Sequence, residues 1–140
     1  ETRRIMGDYV LTGEDILSSA RFDDAIGINA WPMELHAAGR IDWQFPRNWE
    51  SQTGRVYNDL PWRMLVPKGV SNLLVAGRCA SMTHEGQSAA RVSGGCFVMG
   101  QAAGTAAAML QDGKTFAGTD IKQLQKNLRQ DGAYFDNETA

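Results

Sequence analysis

The rhythm of hydrophobic and polar positions changes several times along the 140 residues. Up to Leu11, apolar Ile5, Met6, Tyr9, Val10 and Leu11 mix with Arg3, Arg4 and Asp8, which predicts a strand broken or bulged at Gly7. Thr12 stands three residues before Asp15, close to a capping box, and predicts a short helix to about Ala20. Arg21 to Ala30 reads as loop or strand. Pro32 holds Trp31 extended, so no helix runs through this point. From Ala38 to Arg63 the pattern is irregular and punctuated by Gly39, Pro46, Gly54 and Pro61, which predicts short strands joined by turns. Met64 to Val66 reads as a strand fragment and Pro67-Lys68-Gly69 as a turn. Leu73 to Ala76 is an unbroken apolar run, the pattern of a strand buried on both faces in a parallel sheet.

From Gly94 to about Leu110 the period becomes helical. Phe97, Gly100, Gly104 and Ala108 mark one line, and Met99, Ala103, Ala106 and Leu110 another. Gln111-Asp112-Gly113 supplies the stop, with Gly113 suited to a left-handed C′ position. A second helix is expected from Thr119 as N-cap, with Asp120 in its first turn, a stripe of Ile121, Leu124 and Leu128, and an end near Gly132. Asn137 to Ala140 are expected to fray.

Composition narrows the reading. Hydrophobic residues make up 43% and charged residues 21%, which suits a folded core and not a disordered chain. A net charge of −2 gives no reason to expect a polyanionic partner, and Asp42, Glu50 and Asp59 offset the arginines among the aromatic residues of the middle. No nucleic-acid partner is therefore expected. The uncharged window from Val92 to Leu110 is long enough for a span, but Ser93, Gly94, Gly95, Gln101 and Thr105 suit lipid poorly. A closely packed helix is the reading, and no membrane. Cys79 and Cys96 are expected to be buried free thiols rather than a redox pair, and with His84 and Glu85 they match no zinc spacing. The chain opens at Glu1 with residues that read as folded interior, so it is expected to be a piece of a longer protein.

The candidate chemistry sits at the start of the long helix. Arg91-Val92-Ser93-Gly94-Gly95 offers little side chain to block the backbone, and a helix N-terminus presents unpaired N–H groups and partial positive charge. Strand, loop and glycine-bearing helix start is the general form of a cofactor site at the carboxyl end of a parallel strand. A flexible turn at Gly94-Gly95 is the competing reading, and both stay open on these residues alone. His84 has no visible partner for proton transfer beyond Glu85, so a polar loop is expected there. The aromatic middle, with Trp43, Phe45, Trp49, Tyr57 and Trp62, reads first as core or interface packing. A non-catalytic, carbohydrate-type binding module is the alternative function class.

One ordered series of residues is more specific. Leu73-Leu74-Val75-Ala76-Gly77-Arg78, then Thr83-His84-Glu85, then Arg91-Val92, then Gly100 through Ala108, resembles the C-terminal flavin-binding segment of bacterial FAD-dependent oxidoreductases with the glutathione-reductase-like fold. Tyr57, Pro61-Trp62-Arg63, Leu65 to Gly69 and the opening Glu1 to Gly7 with Leu11-Thr12 extend the resemblance to about residue 112. It implies FAD as cofactor and an α/β C-terminal fragment of an FAD/NAD(P)-binding fold, with strands of a substrate-covering region and two C-terminal helices. By that resemblance, residues 1–66 cover an unknown small-molecule substrate, 67–112 carry the strand, loop and helix of the FAD domain, and 113–140 form a surface helix and tail. Ala76, Gly77, Arg78, His84, Glu85, Arg91, Val92, Ser93, Gly94, Gly95 and Cys96 are implied around the cofactor. Gly77 would lie by its ribityl–phosphate region and the helix start by the pyrimidine edge of its ring. Two features depart from the pattern: Gly94 stands where relatives often have Pro, and no G-x-G-x-x-G for the ADP half occurs in the chain. That part is expected from elsewhere in the same protein, and the piece by itself is expected to be inactive.

Overall fold

The computed structural model describes residues 3–110 and 114–135. It mixes helices with strands, as an α/β reading expects, but both of its sheets are two-stranded and antiparallel. In chain order the elements are α1 (Gly13–Leu17), β1 (Ala25–Asn29), β2 (Met33–Ala37), β3 (Arg40–Gln44), β4 (Asn58–Pro61), α2 (His84–Ala90), α3 (Ser93–Met109) and α4 (Ile121–Gln130), with 3-10 turns at Trp62–Leu65, Gly77–Cys79 and Phe116–Gly118.

Local chemistry explains most of these boundaries. Thr12 accepts from the Asp15 N–H while the Asp15 carboxylate accepts from the Thr12 N–H, so the capping box closes as expected. The helix ends at Leu17, earlier than expected, because Ser19 takes a positive φ of 55°. The β2–β3 hairpin turns through Ala38 and Gly39, both with positive φ, which a two-residue primed turn requires. In α4, Asp120 is the N-cap and accepts from the Gln123 N–H at 3.0 Å; Thr119, the expected cap, stands one residue outside. The stripe on Leu124 and Leu128 is fully buried, and Gly132 follows the helix with φ +80°. The predicted stop at Gln111–Gly113 and the tail Asn137–Ala140 lie outside the described residues.

Three strand expectations are corrected. Residues 3–11 are extended but form only single bridges, Gly7 to Pro67 and Leu11 to Met82, with Ile5, Asp8 and Leu11 donating to Cys79, Val66 and Ser81. Met64 and Leu65 belong to a 3-10 turn whose side chains are buried. Leu73 to Ala76 is extended without a ladder. Val75 N–H donates to Leu65 O at 2.9 Å, and Leu73 is 46% exposed instead of buried. The apolar run is present, but the described residues supply no partner strand to either side of it.

One core joins all of this. Leu11, Ile16, Ile26, Met33, Leu60, Trp62, Met64, Leu65, Met99, Leu124 and Leu128 are buried in a single cluster. Trp62 also donates its indole N–H to Phe116 O at 3.3 Å, which ties the turn before α4 to the centre. Each such large side chain contributes about 1.5–3 kcal/mol by leaving water. β1 lies directly on α3. At Gly27, where φ is +148°, an added Cβ would stand 2.7 Å from Val98 Cγ1, so strand and helix meet at a distance only glycine permits. That contact sets the position of the candidate site.

Candidate functional site

The start of α3 is open. Val92 is its N-cap and offers no side-chain bond to the first turn. The Cys96 N–H closes the first intrahelical bond, to Val92 O at 3.0 Å. The N–H groups of Ser93, Gly94 and Gly95 precede that bond, so they have no acceptor within the helix. The same residues line a groove of about 510 Å³, with Val92, Ser93, Gly94, Gly95 and Val98 on one side and Ile28 to Trp31 on the other. The apolar walls exclude water from one flank, and the helix dipole favours negative charge at the other.

The two adjacent glycines have different causes. A Cβ on Gly95 would lie 2.5 Å from Ala90 O, so this glycine lets the first turn of α3 pack on the end of α2. A Cβ on Gly94 would meet nothing within 4 Å. Gly94 is the member of the pair that leaves the groove clear.

The second wall was not legible as site. Asn29 is buried and donates to Trp31 O and to Asn58 Oδ1, both at 3.0 Å, while its own Oδ1 accepts from the Trp31 N–H at 3.4 Å. These bonds fix the corner that carries Trp31 to the groove. Trp31 begins a row of exposed aromatics: its ring centroid is 5.9 Å from Trp43, which lies 6.5 Å from Phe45, itself 4.9 Å from Trp49. Core packing was expected of the aromatic middle; Trp62 is buried, but Trp31, Trp43, Phe45 and Trp49 are each roughly two-fifths exposed.

The remaining predicted residues divide into two groups. His84 and Glu85 are not in a loop. Thr83 caps α2 by accepting from the Gly86 N–H at 3.1 Å, which puts both residues in the first helical turn. The Glu85 carboxyl is held below the usual carboxylate range, first by its own backbone N–H and then by Thr83, against the opposing effect of burial. Its Cβ packs on α1, since a Cβ on Gly13 would come within 2.7 Å of it. His84 instead lines a small polar cleft with Glu34, His36, Gln87, Ser88 and Arg91. Arg91 reaches Glu34 O at 3.5 Å. Glu34 and His36, on one face of β2, escaped the sequence reading; their i, i+2 spacing on a strand was the available signal.

Ala76, Gly77, Arg78 and Cys96 form a shoulder beside α3. Gly77 opens its 3-10 turn with φ +73°, and a Cβ there would sit 3.8 Å from Cys96 Sγ, so the left-handed backbone is what requires glycine. Arg78 is exposed and its carbonyl accepts from Gln87 Nε2 at 2.7 Å. The Cys96 thiol donates to Arg91 O at 3.3 Å. Both cysteines are free, and Cys79 is exposed where burial was expected. Among the described residues no three His, Cys, Asp or Glu side chains converge to hold a metal ion, and no helix is long and apolar enough to cross a membrane.

Comparison with known proteins adds one finding. No curated protein and no solved structure matches the chain. The model of a family described as FAD dependent oxidoreductase does match, over residues 1–128. That span takes in the groove, the polar cleft and the shoulder together, and it names a cofactor whose ring is flat and whose reduced form is anionic at one edge. The chain belongs to the FAD dependent oxidoreductase family, and its cofactor is FAD.

Proposed function

We propose that this chain supplies the flavin-ring end of the FAD site in an oxidoreductase, with the pyrimidine edge of the ring against Val92 to Gly95. The observation that carries the reading is the uncapped N-terminus of α3, opening through Gly94 into a groove with apolar walls. Free N–H groups and the positive end of a 17-residue helix suit an edge that gains negative charge on reduction. When bound, the cofactor supplies the hydride and electron chemistry; the protein binds, orients and polarises it. Ile28, Trp31 and Val98 would flank the ring and exclude water. Gly77 and Arg78, on the shoulder, would lie toward the ribityl chain. Cys96, bonded to Arg91 O, would hold the helix start in place behind the groove.

In this reading the ADP half is held by a G-x-G-x-x-G unit outside these residues, of the same glutathione-reductase-like fold. Leu73 to Ala76 supports it: among the described residues this apolar segment beside the site has no ladder partner, and its one backbone bond, Val75 N–H to Leu65 O, leaves its other edge open to a neighbouring strand. Residues 1–66 would cover the substrate.

The test is amide NMR of the flavin-loaded protein before and after reduction by dithionite. The Ser93, Gly94 and Gly95 N–H resonances are expected to move most. If they stay still while the flavin bleaches, the assignment of this edge is wrong.

A further inference from the structure

The polar cleft beside the groove holds both histidines of the chain, and neither has a part in binding the ring as described above. Its geometry is specific. Glu34 uses one carboxylate oxygen to accept from Trp31 Nε1 at 3.3 Å and the other to contact His36 Nε2 at 3.0 Å. Trp31 lines the groove, so a single carboxylate joins the groove wall to the imidazole. The second link is the main chain: Arg91, which lines the cleft, is followed directly by Val92, which lines the groove.

A carboxylate only accepts hydrogen bonds, so Nε2 of His36 carries the proton in that contact and Nδ1 is the lone-pair nitrogen of the neutral ring. The His36 side chain is 55% exposed and can exchange protons with solvent; Glu34, at 21%, is less screened and holds the ring in one tautomer. The cleft encloses about 50 Å³, room for a water to carry a proton, since one needs roughly 15 Å³. The other groups lining the cleft with His36 come from α2 and its C-cap: His84, the neutral Gln87 and Ser88, and Arg91. Arg4 reaches Gln87 Oε1 at 2.9 Å from the N-terminal segment. On β3, Arg40 and Asp42 pair with Ala37 and Leu35, so the strand register turns them to the other face.

We propose that His36, positioned by Glu34, is the proton-exchanging residue of the redox site: Nδ1 gains a proton when the cofactor in the adjoining groove is reduced, and releases it on reoxidation. The inference rests on the groove being the flavin site. Two electrons enter the cofactor from the reductant; the proton comes from solvent or substrate, forms an N–H bond at Nδ1, and returns to solvent when the electrons leave. Negative charge gained in the groove favours the imidazolium over the neutral ring. Reduction therefore draws an additional proton at pH values between the titrations of His36 in the oxidised and reduced states.

The experiment is a dithionite titration of the flavin-loaded protein, with midpoint potential followed against pH. The parent should show a segment of steeper slope near neutral pH. His36→Gln should lose that segment. As a measurement without substitution, the His36 ring resonances should titrate at higher pH in the reduced protein than in the oxidised one. A His36→Gln curve that superimposes on the parent, with His36 titrating alike in both states, would overturn the proposal and leave the groove assignment standing. So would loss of the steep segment in His84→Gln with its retention in His36→Gln. A purified protein that includes the G-x-G-x-x-G unit and still takes up no flavin would overturn the groove reading itself, and this proposal with it.

Discussion

The two sides of α3 are made of the same small residues and live in opposite surroundings. On the inner side Gly95, Met99, Ala102 and Ala106 are buried against β1, α2 and the core. On the outer side Gly94, Gly100 and Gly104 have open space where a Cβ would go, and Phe97 is 76% exposed. A helix apolar on all sides is ordinarily covered on all sides. Here the described residues cover one. The glycines therefore do not share a cause: some let two backbones touch, and others leave room for something larger. Sequence patterning cannot separate these, because a missing side chain looks the same in both.

Substitution separates them. The largest effect is expected at Gly86, where the first turn of α2 packs on the N-terminal segment and a Cβ would lie 2.3 Å from Leu11 O. Neither backbone can yield cheaply, so Gly86→Ala should cost about 3 kcal/mol or more of unfolding free energy. Gly95→Ala, against Ala90 O, should cost about 2–3 kcal/mol by the same mechanism. Denaturant unfolding measures both. Next in size, and opposite in sign, Gly104→Ala should gain about 0.5–1 kcal/mol, because the helix is better formed and nothing is displaced. A loss of stability at Gly104 would show that the outer face is packed in the native protein.

The smallest effect is a pH dependence at the far side of the core. Tyr9 donates to Asp15 Oδ1 at 2.9 Å and lies edge-on to Phe22 with centroids 5.0 Å apart. Burial, and then the Asp15 bond, push its phenol up from 10.0 to about 12. A raised phenol pKa means that the folded state holds the proton more tightly. Its stabilisation is full below pH 10 and is lost as pH rises toward about 12. Phenolate absorbance should show one late-titrating tyrosine, and Asp15→Asn should bring it earlier.

Much of this was legible in the sequence where local chemistry decides. The Thr12–Asp15 box, the period of α3 and the Leu124–Leu128 stripe all formed close to their expected places. What failed depended on distant neighbours. Leu73 to Ala76 carries the composition of a buried strand, yet a strand exists only with a ladder partner. α2 read as a loop because Gly86 argues against a helix, while the packing on Leu11 demands glycine there. Half of the groove, Ile28 to Trp31, is brought to the helix start by the Gly27–Val98 contact and the Asn29–Asn58 bond, neither of which leaves a periodic trace. The helix start itself was the visible half, since small residues before a long apolar period expose backbone wherever the chain folds.

The central claim is that the open start of α3, cleared by Gly94, receives the flavin edge. Gly94→Val fills that opening without touching the packing around Gly95, where a Cβ on Gly94 meets nothing within 4 Å. The most direct measurement is flavin content and affinity, by absorbance titration with FAD, of the purified parent and Gly94→Val proteins. The account predicts at least a tenfold loss of affinity with unfolding stability unchanged; equal affinity in an equally stable variant would contradict it.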